Sequence, residues 1–416
     1  MASKPYPHVL IVGAGLSGLT LAQTLRKNGV SYEIFERDKS AEARAQGWAI
    51  ALHGPVLADL KEHMPDDIGP IECTNHIQPL NHLPAQFVFY HVEKPDMRIG
   101  VEDDDKGKIV RANRQRLRDW LRTHIPVQYD RRAVKLVEGD DEKITVQFEN
   151  GAFATGDILI GAEGSRSAIR RHILHGQDVM RPLPIGSLVG EIELTGDDFT
   201  RQLELAHSAY VVLDNGPASL FAALNKVSPD GKMGYWYFIL HWVDAEAAKA
   251  TDENPFWTVN ASREELAAFV REKVKGYPDY LRVLVDKTPV ERYKRPGIVL
   301  QSVELSTAQL PAKRVMLIGD AAHSMTPFRG EAGINAMQDG VTLGRTITHI
   351  RDTQARGSDF EMMMGEFRDD MLSRGARAIQ VSNPVLEQHT EEPNKEWVTC
   401  SKVAVTLPKE TITIQK

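Results

Sequence analysis

Apolar and polar positions fall into a readable order from the start of the chain. His8–Val12 is an apolar run of buried-strand length. Residues 13–18 break it with glycine, and a helix-compatible stretch runs on to Lys27, where Asn28-Gly29 is a stop signal. Tyr32–Phe35 reads as the next strand, closed by Glu36. Val56, Leu57 and Leu60 have helical spacing, and Leu117, Trp120 and Leu121 at i, i+3, i+4 predict an amphipathic helix. Between them, prolines at 65, 70, 79, 84 and 95 punctuate short strands such as Phe87–Val92. Residues 126–161 read as a small meander. Lys143–Glu149 alternates, Asn150-Gly151 predicts a type I′ turn, Ala152–Thr155 returns, and Ile158–Ile160 is a buried strand.

The texture changes near residue 176. Strand-like runs follow one another at Ile185–Leu194, Ser208–Leu213, Ser219–Leu224 and Tyr235–Trp242, with little helical patterning until a capping box, Ser262-x-x-Glu265, opens Ser262–Lys275. In Tyr235–Trp242 the faces separate. Trp236, Phe238, Leu240 and Trp242 are all apolar, while Tyr235, Tyr237, Ile239 and His241 bring hydroxyls and an imidazole. That second face is read equally well as half wet or as ligand-facing. Arg314–Ile318 is a further buried strand, and Ile334, Met337 and Val341 mark one helix face after it. Residues 360–380 are helical. Past Pro384 the chain is polar, with alternation at Val403, Val405, Ile412 and Ile414 that fits an edge strand or a disordered tail.

Three of the buried strands end in glycine. Gly13-Ala14-Gly15-Leu16-Ser17-Gly18 is a G-x-G-x-x-G turn. Gly13 permits the tight turn, Gly15 lets backbone approach a pyrophosphate, and Gly18 lets helix and strand pack closely. The helix N-terminus offers N–H groups and partial positive charge to phosphates. Glu36 is placed to accept ribose hydroxyls, which favours a free 2′-hydroxyl, and Arg37 beside it softens that preference. The second strand runs into Gly161-Ala162-Glu163-Gly164 and the third into Gly319-Asp320-Ala321-Ala322-His323. Pro327 and Gly330-Glu331-Ala332-Gly333 then open a helix whose N-terminus suits an anion. Arg111, Arg114, Arg116 and Arg118 crowd before the helix at 117–121. Each is read as a solvated face or as a guanidinium against a phosphate or flavin edge. Asp103-Asp104-Asp105 reads as a solvated turn.

Composition narrows the class. The 416 residues carry 42% hydrophobic and 26% charged side chains, ordinary for a soluble globular protein of two or three domains. Net charge is −7 and no basic run stands out, so nucleic acid is not an expected partner. Cys73 and Cys400 fit neither a disulfide framework nor a metal site, which suits a reducing, cytoplasmic setting. No apolar run is long enough to predict a membrane span.

Taken in order, the motifs resemble those of the single-component (group A) FAD-dependent monooxygenases of the aromatic-hydroxylase type. Gly13–Gly18 with Glu36 looks like the family's FAD fingerprint. Gly161–Arg170 resembles its G-A-D-G-x-x-S-x-V-R motif, with Glu163 in place of Asp. Gly319–His323 with Pro327 and Gly330–Asn335 resembles its G-D-A-A-H…P…G-x-x-x-N segment, with Glu331 where Gln is common. Arg114 matches the family's FAD-binding arginine, and Gly47–His53 falls where the chain passes the isoalloxazine.

The resemblance implies an α/β fold. A discontinuous Rossmann-like FAD-binding domain (1–75, 105–175 and 300–350) would carry an inserted sheet-rich substrate domain (76–104 and 176–299) and a C-terminal helix and tail (351–416). It implies FAD contacts at Gly13, Gly15, Leu16, Ser17, Gly18, Glu36, Arg37, Gly47, Arg114, Glu163, Gly319, Asp320, Pro327, Ala332 and Gly333. NADPH or NADH would dock transiently, as in this group, and the absence of a second G-x-G-x-x-G agrees with that. Hydroxylation or epoxidation of a small aromatic or natural-product-like substrate by O2 would proceed through a flavin C4a-hydroperoxide. Tyr235, Tyr237 and His241 are the candidates to orient or deprotonate that substrate. Two alternatives stay open: a flavin reductase or dehydrogenase on the same scaffold, and a non-catalytic FAD-binding protein. Oligomeric state is not legible.

Overall fold

The structure is a computed structural model that describes residues 5–43, 47–103, 108–139, 142–214, 216–383 and 398–399. In chain order its elements begin with β1 (His8–Val12), α1 (Leu16–Lys27), β2 (Ser31–Phe35), β3 (Ala49–His53) and α2 (Gly54–His63). There follow β4 (Gln86–His91), β5 (Lys94–Glu102), β6 (Ile109–Asn113), α3 (Arg114–Arg122), β7 (Val127–Gln128), β8 (Ala133–Glu138), β9 (Ile144–Phe148), β10 (Phe153–Gly156), β11 (Ile158–Gly161) and α4 (Ala168–Ile173). The middle of the chain is β12 (Arg181–Thr195), α5 (Gly196–Leu205), β13 (Ala209–Leu213), β14 (Ala218–Val227), β15 (Met233–Val243), α6 (Arg263–Lys273), α7 (Asp279–Lys287) and β16 (Ile298–Ser302). It closes with β17 (Val315–Leu317), α8 (Asp320–His323), α9 (Glu331–Thr353), α10 (Gly357–Ser382) and β18 (Val398–Thr399).

Two sheets carry the architecture. The first is wholly parallel, in the order β17-β11-β1-β2-β7. Its central strands β1, β11 and β17 are buried and almost wholly apolar, with α1 packed on β1 and β2 and α9 packed on α1, as a covered parallel sheet requires. The second has eight strands in the order β16-β12-β15-β14-β13-β4-β5-β18, antiparallel except where β13 meets β4. A two-stranded ribbon of β3 and β6 pairs Ala51 with Arg111, and β8–β10 form a small antiparallel sheet. The α/β class and Rossmann-like order expected from the sequence are present.

Several sequence expectations need correction. The stretch 176–300 is less purely stranded than its pattern predicts, for α5 and α7 lie within it. Their apolar positions (Phe199, Leu203, Leu281, Leu284) pack against one face of the large sheet. Asn150-Gly151 is not a type I′ turn: Gly151 has φ +82° while Asn150 does not take positive φ, which I′ demands at both positions. Asp103 is buried rather than solvated, because its carboxylate accepts the Lys108 and Ile109 N–H groups (3.3 and 3.0 Å) at the start of β6; Asp104 and Asp105 lie outside the described residues. The solvated-face reading fails for Arg111 and Arg118, both buried. In the tail, Val398–Thr399 pairs with β5 at the sheet edge, and the alternating residues at 403–414 and Cys400 lie outside the described residues.

Candidate active site

The three glycine-ended strands are neighbours. Val12 pairs with Gly161, and Gly161 with Leu317, so all three motifs begin at one carboxyl edge of the parallel sheet. This edge is where an open α/β sheet holds its ligand. Gly13 has φ +109°, and a Cβ there would stand 2.3 Å from the Ala162 carbonyl oxygen; one on Gly18 would stand 2.0 Å from the Gly13 oxygen. Those two glycines are dictated by protein packing. Gly15 is different. Its backbone (φ −81°, ψ −171°) is open to any residue, and no protein atom comes within 3.9 Å of the place a Cβ would take. No side chain or backbone packing requires glycine there, so the open space beside Gly15 at the α1 N-terminus is left for something other than protein. No side chain caps that terminus.

The flanking residues hold this turn in place. Glu36 is buried, and its carboxylate accepts the Ala14 N–H (2.9 Å) and the Asp38 N–H (3.1 Å). Arg118 donates to the carbonyls of Ala14 (3.1 Å) and Ala41 (3.1 Å). Sequence reasoning left Arg118 unresolved among four arginines; its place one turn after Arg114 on α3 was the available signal. Leu16 and Ser17 are buried in the first turn of α1.

The second and third motifs close on the first. Glu163 turns back to accept Ser167 Oγ (2.6 Å) and the Ile169 N–H (3.0 Å) at the start of α4. Burial raises its carboxyl, while these bonds and the nearby Arg37 oppose the rise. Gly319 (φ +61°) lies against Ser17, so the Asp320 loop and the α1 turn are in contact. Burial also raises the Asp320 carboxyl, Arg114 and His323 pulling the other way. Arg114 in turn touches Gly47, whose φ is +84°. Gly333, in the first turn of α9, packs on Ile50 of β3. Pro327 is exposed and starts the turn that Gly330 closes; Ala332 packs toward Met325 and Ile379.

Beneath the Asp320 loop is a network the sequence did not announce. Asp339, fully buried, accepts the Gly319 N–H (2.8 Å), His323 Nε2 (2.6 Å) and Arg374 (2.9 Å). Burial opposes a charge on His323, yet the Asp339 carboxylate outweighs it and His323 is shifted upward.

The face of the large sheet that Trp48 and Phe328 touch carries an apolar row. Ile239, Phe221, Val211, Phe89 and Ile99 are register partners across β15, β14, β13, β4 and β5, and all are half-buried. The opposite face is sealed by α5, α6 and α7. Two aromatic pairs bracket Ile239. Tyr237 stacks on Trp48 (centroids 5.1 Å apart, planes at 18°), and His241 meets Phe328 edge-on at 4.8 Å. Trp48 precedes β3, and Phe328 lies in the loop before α9. Trp48 and Phe328 thus join the large sheet, hereafter the roof, to β3 and to the loop that leads into Gly333. Tyr235 stands apart, its ring under the Lys226 ammonium (4.4 Å), and does not join the cluster. A surface depression of about 330 Å³ beside β12 is lined by ions already paired (Lys287 with Asp198, Arg292 with Glu193) and offers no chemistry.

His241 shares a hydrogen bond with Ser187 Oγ (2.7 Å), and burial pushes it down to about 3. An imidazole that weakly basic is a poor proton acceptor near neutrality, which corrects the expectation that it deprotonates a phenol. His76 is pushed down to about 3 as well, by burial and then by Arg111. A depressed histidine is protonated in the unfolded chain first. Its stabilisation is whole above pH ~6.5 and falls by about 1.4 kcal/mol per pH unit on acidification toward the folded value. His323, shifted upward, acts in the opposite sense. Replacing His76 by Gln is expected to remove about 1.4 kcal/mol per pH unit from the slope of unfolding free energy between roughly pH 6 and pH 4. Denaturant titrations across that range check it; an unchanged slope contradicts it.

Known proteins with this arrangement are numerous. Residues 11–59 match the NAD(P)-binding Rossmann-like domain and residues 114–361 match the FAD binding domain family. The chain is 40% identical over 403 residues to the FAD-dependent monooxygenase thnD of Trichoderma harzianum, covering 95% of this chain and 94% of that one. The chain belongs to the FAD-dependent monooxygenase family. The FAD-dependent monooxygenase dbaB of Emericella nidulans is 27% identical, covering 83% of this chain and 88% of its own. Two solved structures share the fold. HpxO of Klebsiella pneumoniae, complexed with FAD and uric acid, has a TM-score of 0.71 at 19% identity (93% and 90% covered). The 2,6-dihydroxypyridine-3-hydroxylase of Arthrobacter nicotinovorans has 0.72 at 17% (98% of each). The monooxygenase is thus a flavoprotein, and no helix among its described residues is long and apolar enough to cross a membrane.

Proposed function

We propose that this monooxygenase uses NADPH or NADH, and O2, to hydroxylate or epoxidise a small, largely apolar aromatic or natural-product-like compound. FAD, when bound, supplies hydride acceptance and oxygen activation. The chain's part is to bind, orient and exclude water. Leu16–Gly18 would receive the pyrophosphate, with Gly13 and Glu36 shaping the turn, and Gly319, Asp320 and Arg114 the ribityl side. The first turn of α9, at Ala332 and Gly333, would lend its positive end to charge on the flavin's pyrimidine side.

The observation that carries the reading is the half-buried apolar row from Ile239 to Ile99, on the face of the large sheet that Trp48 and Phe328 touch. An apolar surface kept partly open inside a fold suits a substrate of the same character. Segments 76–104 and 176–299 would form this substrate domain, with β16 extending it to Ser302. Tyr237, held between Trp48 and Arg111, would orient the substrate. Tyr235 takes no part in this reading. The test is to purify the yellow holoenzyme, screen aromatic and polyketide-like compounds for stimulated NADPH or NADH oxidation, and repeat a productive reaction under isotopically labelled O2. Label in the product is expected. A substrate consumed without label would replace oxygen insertion by dehydrogenation.

A further inference from the structure

Arg111 is 7% exposed, and no acid of the described residues pairs with it. One of its terminal nitrogens donates to Tyr237 Oη (3.3 Å), and its Nε, also buried, meets no acceptor. A neutral phenol returns little of the hydration that a guanidinium gives up on burial. A cation in this state is a heavy burden on a fold unless an anion completes it. Burial accordingly pulls Arg111 downward, with only Tyr237 opposing.

Its placement says where the anion would come from. Arg111 sits on β6 opposite Ala51, and strand alternation puts Asn113 on the same face. That face meets the roof: Asn113 donates to the Asn225 carbonyl (2.9 Å) on β14, and Arg111 reaches Tyr237 on β15. Tyr237 belongs to the aromatic panel of Trp48, Phe87 and Phe221. The carboxylate of Glu191, the register partner of Tyr237 on β12, is already engaged by Trp48 Nε1 (3.0 Å) and Lys294 (2.6 Å). The charge therefore stands at one end of an apolar, aromatic-lined surface with its acceptor missing.

We infer that Arg111, with the Tyr237 hydroxyl beside it, receives an anionic oxygen of the substrate, a carboxylate or an ionised enol, at the seam between the β3–β6 ribbon and the roof. This deepens the reading above and rests on it. The apolar body of the substrate lies along the roof, and the anionic oxygen fixes which end lies at the Tyr237–Trp48 side. A fork of donors in a dry site discriminates strongly between an anion and its neutral isostere.

The test uses holoenzyme and two matched probe pairs: sodium 2-naphthoate against 2-naphthamide, and 1,3-cyclohexanedione, an enolate near neutral pH, against cyclohexanone. Perturbation of the flavin spectrum reads binding. Wild type is expected to favour the anion of at least one pair by roughly tenfold or more. The pair with the larger ratio tells carboxylate from enolate. Arg111→Met is expected to keep its FAD, abolish the preference, and melt no lower than wild type, because an unpaired buried charge has gone. Arg111→Lys is expected to restore part of the preference. Anions that bind no better than their neutral partners, or not at all, overturn the inference. So does a preference that survives in Arg111→Met, or an Arg111→Met protein that loses FAD or melts well below wild type, either of which would make the residue structural. Labelled oxygen still entering product in those cases would leave the monooxygenase reading standing while this one falls.

Discussion

Replacing Asp339 with Asn is expected to lower unfolding free energy by about 3–5 kcal/mol, because it strips a buried ion cluster of its central carboxylate and leaves Arg374 only the more exposed Asp370 (2.9 Å). The Arg374 guanidinium and the His323 imidazole both lean on that carboxylate, as does the Gly319 N–H. Asn can accept one or two of these bonds but cannot balance the charge. The loss should reach function through the Asp320 loop, which is anchored by the Gly319–Asp339 bond, so FAD affinity is expected to fall at least tenfold. Denaturant titration and flavin equilibrium binding measure the two effects. Should Asp339→Asn accumulate only as aggregate, Arg374→Met removes the cation instead and is expected to cost less. A midpoint within experimental scatter of wild type for both variants would mean the cluster is decorative.

Gly15→Val and Gly18→Ala are expected to separate binding from folding. At Gly18 the added methyl would meet the Gly13 carbonyl at 2.0 Å, so the α1–β1 packing must open and the protein is expected to lose several kcal/mol of stability. At Gly15 the backbone is extended and the nearest protein atom is 3.9 Å from the new Cβ. The Gly15→Val apoprotein should therefore unfold within about 1 kcal/mol of wild-type apoprotein. Its FAD affinity should fall by about 100-fold or more, roughly 2.7 kcal/mol, since the isopropyl group occupies the pyrophosphate's approach. Unfolding titrations of the apoproteins with parallel FAD binding decide it. Equal FAD affinity in Gly15→Val and wild type would remove the pyrophosphate from this turn.

These two cases mark what sequence can and cannot convey. Gly13, Gly18 and the strands around them were legible because turn geometry and close packing restrict residue type locally. The large sheet was legible for the same reason, through period-two alternation in β12 to β15. The Asp339 network was not, since its members lie at 319, 323, 339 and 374 and only folding brings them together. Arg111 and Arg118 looked like half of a solvated cluster. Their burial follows from β6 and α3 being clamped between the parallel sheet and the roof, which no local pattern encodes. The polar face of β15 was ambiguous for a related reason. Tyr237 and His241 are separated from Tyr235 by what lies opposite each, Trp48, Phe328 and Lys226, not by anything in their own strand. Asn150-Gly151 misled because its turn is set by the loop as a whole, with positive φ at Gly151 alone.

One measurement bears on the whole account: electron density from crystals grown with FAD. The expected result is a single flavin with its pyrophosphate on the N–H groups of Leu16–Gly18, its ribityl chain passing Asp320 and Arg114, and its ring edge at the first turn of α9 beneath the Ile239–Phe221 row. A flavin seated elsewhere, with Gly15 and Asp320 both out of its reach, would contradict the claim that three glycine-ended strands converge to hold it.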